Sequence, residues 1–232
     1  MADAPQLRPV EPVHRPSVSD QVFEALYAQV LSLDLAPGTK ISEAEVAKQL
    51  DVSRQPVRDA FWRLSQLGFL LIRPQRATVV SQISAADIFK ARYIRTALEV
   101  ETVRRACREL DGAQFDALKA LIDAQRAALD AGDKKRFHEL DDAFHRSICE
   151  EAGVGFCWDV IREKKAHTDR VRFLSLGFAS QSALEDHVKI LAAIRSGNAN
   201  EAEAALRLHL GRIEPLVERL RLDNHEWFVE ED

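Results

Sequence analysis

Three histidines and one aspartate in the C-terminal half of the chain have the residue types and spacing that a metal site requires. Asp141 and His145 are four positions apart in a helical pattern, so their side chains share one face about one turn apart. His187 and His209 each lie on an apolar helix face and should point into the interior of a helical bundle. Three imidazoles and one carboxylate suffice for zinc or a similar divalent ion, with positions left for water or ligand oxygens.

Two alternatives compete with the interpretation that these four residues bind a metal that senses a ligand. A single histidine is more often a satisfied core residue than a ligand, so the helical half could serve only for dimerisation, in an architectural DNA binder. A metal with an open coordination position could also activate water, as in a metal-dependent enzyme. The chain has no His-Glu-x-x-His element and no comparable carboxylate to act as general base, which argues against an enzyme.

A second set of polar residues has the pattern of a DNA-reading helix. Between Ser53 and Arg76 the charged residues are five arginines and one aspartate, although the whole chain has a formal net charge of -5. Arg54 or Arg58 could contact guanine, Gln55 adenine, and Ser53 at the helix N-terminus a phosphate. Arg76, at the tip of a following hairpin, could enter the minor groove. One arginine alone could serve only solubility, but the clustered set favours DNA binding.

The segments before residue 84 predict a winged helix-turn-helix. Apolar spacing from Ser19 indicates a helix that must end before Pro37-Gly38, and Ser42 with Glu45 has capping-box spacing for a short second helix. Ser53 is the expected N-cap of a third helix, which ends near Gly68. Two apolar strands follow, Phe69 to Arg73 and Thr78 to Ser81.

After residue 84 the strand pattern gives way to amphipathic helices. Six segments are punctuated by glycines, at about 85–108, 112–131, 134–152, 157–177, 182–196 and 199–222. The predicted fold is therefore mainly α, a winged helix-turn-helix followed by an all-α bundle of about six helices. We expect four parts: a flexible N-terminal arm over 1–17, a DNA-binding domain over 18–82, a sensing and dimerising domain over 84–222, and a C-terminal tail over 223–232.

Composition bounds the class of protein. With 232 residues, 46% hydrophobic and 30% charged, the chain is long enough for two globular domains and not so basic that it would coat nucleic acid. Three cysteines are an odd number without metal-ribbon spacing, which fits small buried side chains in a reducing cytosol. No apolar run suggests export or membrane insertion, so we expect a cytoplasmic protein.

The N-terminal part resembles the DNA-binding domain of the GntR family. The resemblance covers about residues 18–82 and lies in the stretch LAPGTKISEAEVAKQLDVSRQPVRDAF, from Leu35 to Phe61. Two positions depart from the family pattern, because Asp51 and Ala77 stand where glycine is usual. An Asx-type bond at Asp51 could tighten the turn that precedes the third helix.

The remainder resembles the helical FCD effector domain of the FadR subfamily. The matching segments are RTALE ending at Glu99, LDDAFH ending at His145, EDH ending at His187 and LRLHL containing His209. The resemblance implies that Asp141, His145, His187 and His209 hold a metal, namely zinc, with nickel or another first-row metal as alternatives. It also implies a carboxylate effector beside the metal.

The resemblance suggests two arginines for the effector and a mode of action. Arg95 could grip a carboxylate with its planar fork, although an intrahelical pair with Glu99 is an equal alternative, and Arg172 is the second candidate. The implied function is a ligand-responsive bacterial transcription regulator. It would bind a near-palindromic operator as a homodimer, with its DNA affinity modulated by a small carboxylate or sugar acid.

Overall fold

A computed structural model of the chain describes residues 16–73 and 75–230, and the predicted arm therefore lies almost wholly outside the described residues. The elements run in the order α1 (Val18–Leu31), β1 (Lys40–Ile41), α2 (Glu43–Gln49), α3 (Arg54–Gln66), β2 (Leu70–Leu71), β3 (Thr78–Val80), α4 (Ala85–Glu109), α5 (Gly112–Asp130), α6 (Lys134–Glu151), α7 (Phe156–Arg195), α8 (Ala199–Gly211), α9 (Ile213–Asp223) and a 3-10 turn (His225–Trp227). The mainly α fold predicted from the sequence is confirmed. No helix in the part of the chain described is both long and apolar enough to cross a membrane.

The N-terminal unit packs α1, α2 and α3 against a small antiparallel sheet. Ser42 accepts a hydrogen bond from the Glu45 amide at the start of α2, as the capping pattern predicted. The sheet has the order β1-β3-β2, so the predicted hairpin of β2 and β3 gains a third strand. Strand β1 was missed because two residues, Lys40 and Ile41, are too few to show an alternating pattern.

Backbone conformation explains the two departures from the family pattern. Asp51 has a φ of 52°, a left-handed conformation that glycine adopts freely and that aspartate tolerates better than most residues. In the hairpin, the left-handed residue is Gln75, with a φ of 58°, and the Arg76 amide donates to the Arg73 carbonyl. Ala77 has no positive φ, and the turn does not need glycine there.

The helical unit buries its core between α4, α5, α6, α7 and α8. Leu118, Phe144, Ile190 and Leu206 are fully buried within this cluster. The predicted segments at 157–177 and 182–196 are not two helices, because α7 runs unbroken from Phe156 to Arg195. The predicted 199–222 segment is in fact two helices: Pro215 has no amide hydrogen to bond the Gly211 carbonyl, and α8 ends there before α9 begins.

Helix α7 must bend between its two halves. Arg172 and His187 both approach the same oxygen of Asp141, at 2.5 and 3.5 Å. Fifteen residues of straight helix would separate their backbones by about 22 Å, farther than the two side chains can span together. The Ser175 and Ser180 hydroxyls donate to carbonyls of the preceding turn, an arrangement that bends helices. Ser175 lies just before the break that the sequence suggested, at 178–181, and Ser180 lies within it.

The segment that joins the two units is held by α7 and by residues near the C-terminus. The buried Arg170 donates to the Ser81 carbonyl at 2.7 Å. Ile83 pairs with residues on either side of Phe228: its amide donates to the Trp227 carbonyl at 2.7 Å and its carbonyl accepts from the Val229 amide at 2.9 Å. The middle of the predicted tail, from Trp227 to Val229, is therefore part of the joint between the units.

Candidate functional site

The four predicted metal ligands converge in the interior of the helical unit. Asp141 and His145 come from α6, His187 from α7 and His209 from α8, and one donor atom from each lies within 4.8 Å of the others. All four side chains are buried. The Nε2 atoms of His145 and His209 are 3.2 Å apart. A divalent ion could be held by this set, which joins three helices at one point.

The outer nitrogen of each histidine faces a carboxylate or amide oxygen. His145 Nδ1 lies 2.6 Å from Glu99 Oε2, and His187 Nδ1 lies 2.7 Å from Gln125 Oε1. His209 Nδ1 lies 3.6 Å from Asp186, whose other contacts come from Arg212. Metal-binding histidines usually have such partners, which fix the ring and direct the second nitrogen to the ion.

The inward-facing atoms lack partners that a cation would supply. Gln125 donates its amide to the Leu140 carbonyl, so its oxygen must accept from His187 Nδ1, and His187 Nε2 keeps its lone pair. That Nε2 is buried without a hydrogen bond, as is Asp141 Oδ2. Two groups of acceptors facing each other are unfavourable unless a cation lies between them. The donor set therefore fits a divalent metal, for which nitrogen and carboxylate ligands are typical.

Electrostatics keep these groups in the forms that bind metal. Burial raises the pKa of Asp141, but Arg172, His187 and His145 together outweigh burial and hold that pKa well below its usual value. Burial lowers the pKa of His187 and of His209, which keeps both rings neutral. For Glu99, burial is opposed by Arg95 and His145, and the pKa again lies below its usual value. Asp141 is therefore ionised, and the rings of His187 and His209 are neutral.

A cavity of about 330 Å³ adjoins the cluster. It lies against the bent part of α7, and its cationic and ligand-bearing lining is Arg92, Arg95, Arg172, His209, Arg212 and Arg219. Among the described residues, no aspartate or glutamate lines it. The remaining lining is largely apolar, so the cavity suits a small anion whose charge meets the arginines.

The two predicted effector arginines both line this cavity. Arg95 Nε lies 2.6 Å from Glu99 Oε1, the intrahelical alternative, yet its buried Nη2 has no hydrogen-bond partner. Arg95 can therefore hold Glu99 and a ligand at once. Arg172 contacts Asp141 at 2.5 Å and so links the cavity to the predicted metal ligands.

The predicted DNA-binding residues lie on the surface of the N-terminal unit. Ser53 occupies the N-cap position of α3, but its side chain makes no capping bond, contrary to the expected cap. Arg54 and Arg76 are exposed. Gln55 donates to Asp59 at 2.8 Å, and Arg58 lies 3.4 Å from Glu43. To contact DNA, Gln55 and Arg58 would have to give up these contacts within the protein.

Several residues that support the site were not predicted from the sequence. Glu99 was considered only as a partner of Arg95, while Gln125 and Asp186 were not considered as supports for the histidines. Gln125 is fully buried on α5, and a buried glutamine in an otherwise apolar face is a signal that could have been followed. Its partner His187 is 62 residues away, so no local spacing could have paired them.

A second, largely buried cluster beside the site is an internal ion network. His138, Asp142 and Asp169 are close enough to share a cation. The Lys165 ammonium already lies between the two carboxylates, 2.8 Å from Asp142 and 2.5 Å from Asp169. A lysine in that position supplies the positive charge that a metal would bring.

Comparison with known families identifies both units. Residues 18–80 match the family described as bacterial regulatory proteins of the gntR family, and residues 87–212 match the FCD domain. Together the two matches cover most of the chain. Proteins of this kind are transcription regulators rather than enzymes.

Individual proteins agree with the family matches. The chain is 36% identical over 228 residues to the HTH-type transcriptional repressor RspR of Escherichia coli, covering 97% of this chain and 98% of that protein. It is 26% identical over 229 residues to the repressor NanR of Cronobacter sakazakii, covering 87% and 86% of the two chains. Among solved structures, E. coli McbR/YncC shares the fold with a TM-score of 0.74 and 21% identity, over 88% of this chain and 99% of that one.

Proposed function

We propose that this chain, which belongs to the GntR family of bacterial regulatory proteins and carries an FCD domain, changes its affinity for operator DNA when a small acid binds at a metal site. The DNA-binding domain comprises residues 18–82 and the sensing domain residues 84–222. The acid is a carboxylate or sugar acid, and the metal is zinc, with nickel or another first-row ion as alternatives. Both relatives described above are named repressors, which supports repression as the mode of action.

The observation that carries the proposal is the pairing of an unsatisfied ligand set with an arginine-lined cavity. His187 Nε2 and Asp141 Oδ2 are buried without hydrogen-bond partners, and His209 lies both in the cluster and in the cavity wall. A bound divalent ion would supply a Lewis-acidic centre for the acid's oxygens. Arg95 would bind the carboxylate through its free Nη2 and hold it against the cluster.

Helix α7 supports a route from this cavity to the DNA-binding domain. His187 and Arg172 lie at the cluster, while Arg170 holds the Ser81 carbonyl and His167 stacks on Phe69 of the N-terminal unit at 4.6 Å. An acid that changes the contact of Arg172 with Asp141 would shift the same helix that fixes the joint. A tenfold change in DNA affinity requires about 1.4 kcal/mol of coupling free energy.

Exposed apolar residues on the helical domain support a homodimer. Tyr93 on α4 is 77% exposed, and the exposed Phe89 lies one turn before it. Phe156 on α7 is 72% exposed, and the exposed Val160 lies one turn after it. The two helices also contact each other where Leu98 packs against the Trp158 cluster. A symmetric pair would place two copies of α3 on the half-sites of a near-palindromic operator.

Metal analysis with ligand titration tests the proposal. We expect about one zinc or other first-row ion per chain in the purified protein, and none in His187→Ala or His209→Ala. His138→Ala is the matched control, since this buried histidine belongs to the neighbouring ion network and its loss should leave the metal in place. A small acid should raise the melting temperature of the parent but not of the two metal-free variants.

DNA binding is tested separately on an operator selected from random-sequence DNA with the parent protein. We expect a dimer on a two-fold symmetric site and an affinity that changes with the same acid that stabilises the protein. A protein without metal and without any acid response would leave only a dimerising DNA binder. Turnover of a stabilising acid would instead favour the enzyme alternative.

A further inference from the structure

The five arginines of the cavity are not equivalent in their charge balance. Four have a carboxylate partner within the protein: Arg92 with Glu214, Arg95 with Glu99, Arg172 with Asp141 and Arg212 with Asp186. Arg219 has no carboxylate partner within residues 16–73 and 75–230. Its guanidinium instead lies over the Phe178 ring, 4.1 Å from the centroid, and both residues line the cavity.

Arg92 and Arg219 mark the end of the cavity away from the predicted metal. Along α4, Glu99 contacts His145, Arg95 follows toward the helix N-terminus, and Arg92 lies about 10 Å of helix rise from Glu99. Arg92 is bonded to Glu214 of α9 at 2.8 Å, and α9 also carries Arg219. The Nε of Arg92 is buried and has no hydrogen-bond partner. This end thus offers an exposed guanidinium and an unused buried donor.

The cavity is larger than a short monoanionic acid needs. At ~30 Å³ per heavy atom, the volume that liquid water takes up, the six heavy atoms of a three-carbon hydroxy acid would fill about half of it. With the carboxylate of such an acid at the metal and Arg95, the remaining space would extend toward Arg219. A cationic side chain facing unfilled space favours a second anionic group on the ligand.

We propose that Arg219, with Arg92, forms a second anion-binding position, so that the preferred effector is an acid with negative charge at both ends. The inference rests on the proposed function, because the first carboxylate is placed at the metal and Arg95. The second group is a carboxylate or a phosphate ester, both of which a guanidinium binds with two parallel hydrogen bonds. The apolar wall between the two ends accommodates a short carbon chain.

Matched pairs of acids test the proposal by calorimetric titration of the metal-loaded protein. Malate is compared with 2,4-dihydroxybutanoate, 2-hydroxyglutarate with 2,5-dihydroxypentanoate, and 2-hydroxyadipate with 2,6-dihydroxyhexanoate. Each pair differs only in the group at the far end. Glycerate and 3-phosphoglycerate form the corresponding phosphate pair. We expect at least one dianion to bind five- to tenfold more tightly than its monoanionic partner. The pair with the largest difference in affinity shows whether the second group is a carboxylate or a phosphate.

Variants assign the preference to its residue. In Arg219→Gln the preference should fall below twofold, while the affinity for the monoanions and the metal content stay unchanged. Arg92→Gln should reduce the preference as well, and Arg219→Lys should retain part of it. Arg207→Gln is the control, because this exposed arginine on α8 pairs with Glu203 outside the cavity and should keep the full preference.

Three outcomes would overturn the proposal, and they are distinguishable. If monoanions bind as tightly as dianions in every pair, the second position is rejected while the proposed function stands. If Arg219→Gln weakens both members of a pair equally, Arg219 only supports the fold of the cavity. If no acid of either charge binds, the proposed function fails together with this inference.

Discussion

The DNA-facing surface and the sensing interior use polar residues in opposite ways. On α3, the side chains of Arg54, Gln55 and Arg58 are exposed. Gln55 and Arg58 contact only neighbouring surface side chains. Around the predicted metal, Asp141 and His187 are fully buried. Asp141 holds Arg172, and His187 holds Gln125. Exposed residues can be exchanged for a new partner at little cost, whereas buried ones tie binding to stability. Substitutions in the two regions should therefore fail in different ways.

The largest effect should come from breaking a buried charge pair. In chelator-treated protein, Arg172→Ala leaves Asp141 buried without its counter-charge and should lower the free energy of unfolding by about 3–5 kcal/mol. Arg58→Ala, which removes an exposed pair with Glu43, should change it by less than about 0.5 kcal/mol. Urea unfolding of both variants measures the contrast. Equal losses would show that the two regions do not differ in this way.

The reverse contrast should appear in DNA binding. Arg54→Ala removes an exposed donor from the first turn of α3 and should weaken binding to the selected operator by about 1–3 kcal/mol. Metal content and unfolding free energy should stay at parental values. Fluorescence anisotropy on labelled operator DNA gives the affinity. Arg207→Ala, far from α3 in sequence and on the helical domain, should leave DNA binding unchanged.

A third substitution addresses the joint between the regions. Arg170→Ala removes the hydrogen bond to the Ser81 carbonyl without touching the cavity or the predicted DNA contacts. The acid should still bind, but its effect on operator affinity should shrink from about tenfold toward none, a loss of about 1.4 kcal/mol of coupling. Paired titrations with and without acid measure this coupling. A full acid response in this variant would exclude the contact between Arg170 and Ser81 from the route.

The smallest expected effect is on the pH dependence of stability, and it comes from His138 in the ion network rather than from the predicted metal ligands. Burial lowers the pKa of His138 below its usual 6.5, although Asp169 and Asp142 oppose this and Lys165 and Arg172 reinforce it. The unfolded chain therefore takes up a proton before the folded one as pH falls below 6.5. His138 thus costs stability at acid pH, by at most about 1.4 kcal/mol per pH unit.

His138→Gln should accordingly lose less stability than the parent when metal-free protein is moved from pH 7.5 to pH 5.5. Urea midpoints at the two pH values provide the measurement. An identical pH dependence in parent and variant would show that His138 protonates equally well in the folded protein.

The sequence was sufficient where structure depends on near neighbours. Ser42 with Glu45 predicted the start of α2, and the spacing of Asp141 and His145 placed two side chains on one face. It was insufficient where distant segments meet. No local pattern pairs Gln125 with His187, or Ile83 with Phe228. The helix break expected near residue 180 was wrong because packing around the cavity lets α7 continue through a bend.

The pairing of Ile83 with Phe228 also has a consequence for the order of events during synthesis. Residues 18–80 leave the ribosome early, and such a unit generally folds as it emerges. The residues that close the joint, from Trp227 to Val229, are translated only after all the helices of the helical unit. A nascent chain would therefore carry a folded DNA-binding unit that is held to the helical unit by α7 but not yet by this segment. Translation that stops before Trp227 would release a protein with a complete DNA-binding unit but without the backbone pairing of Ile83 to the C-terminal segment.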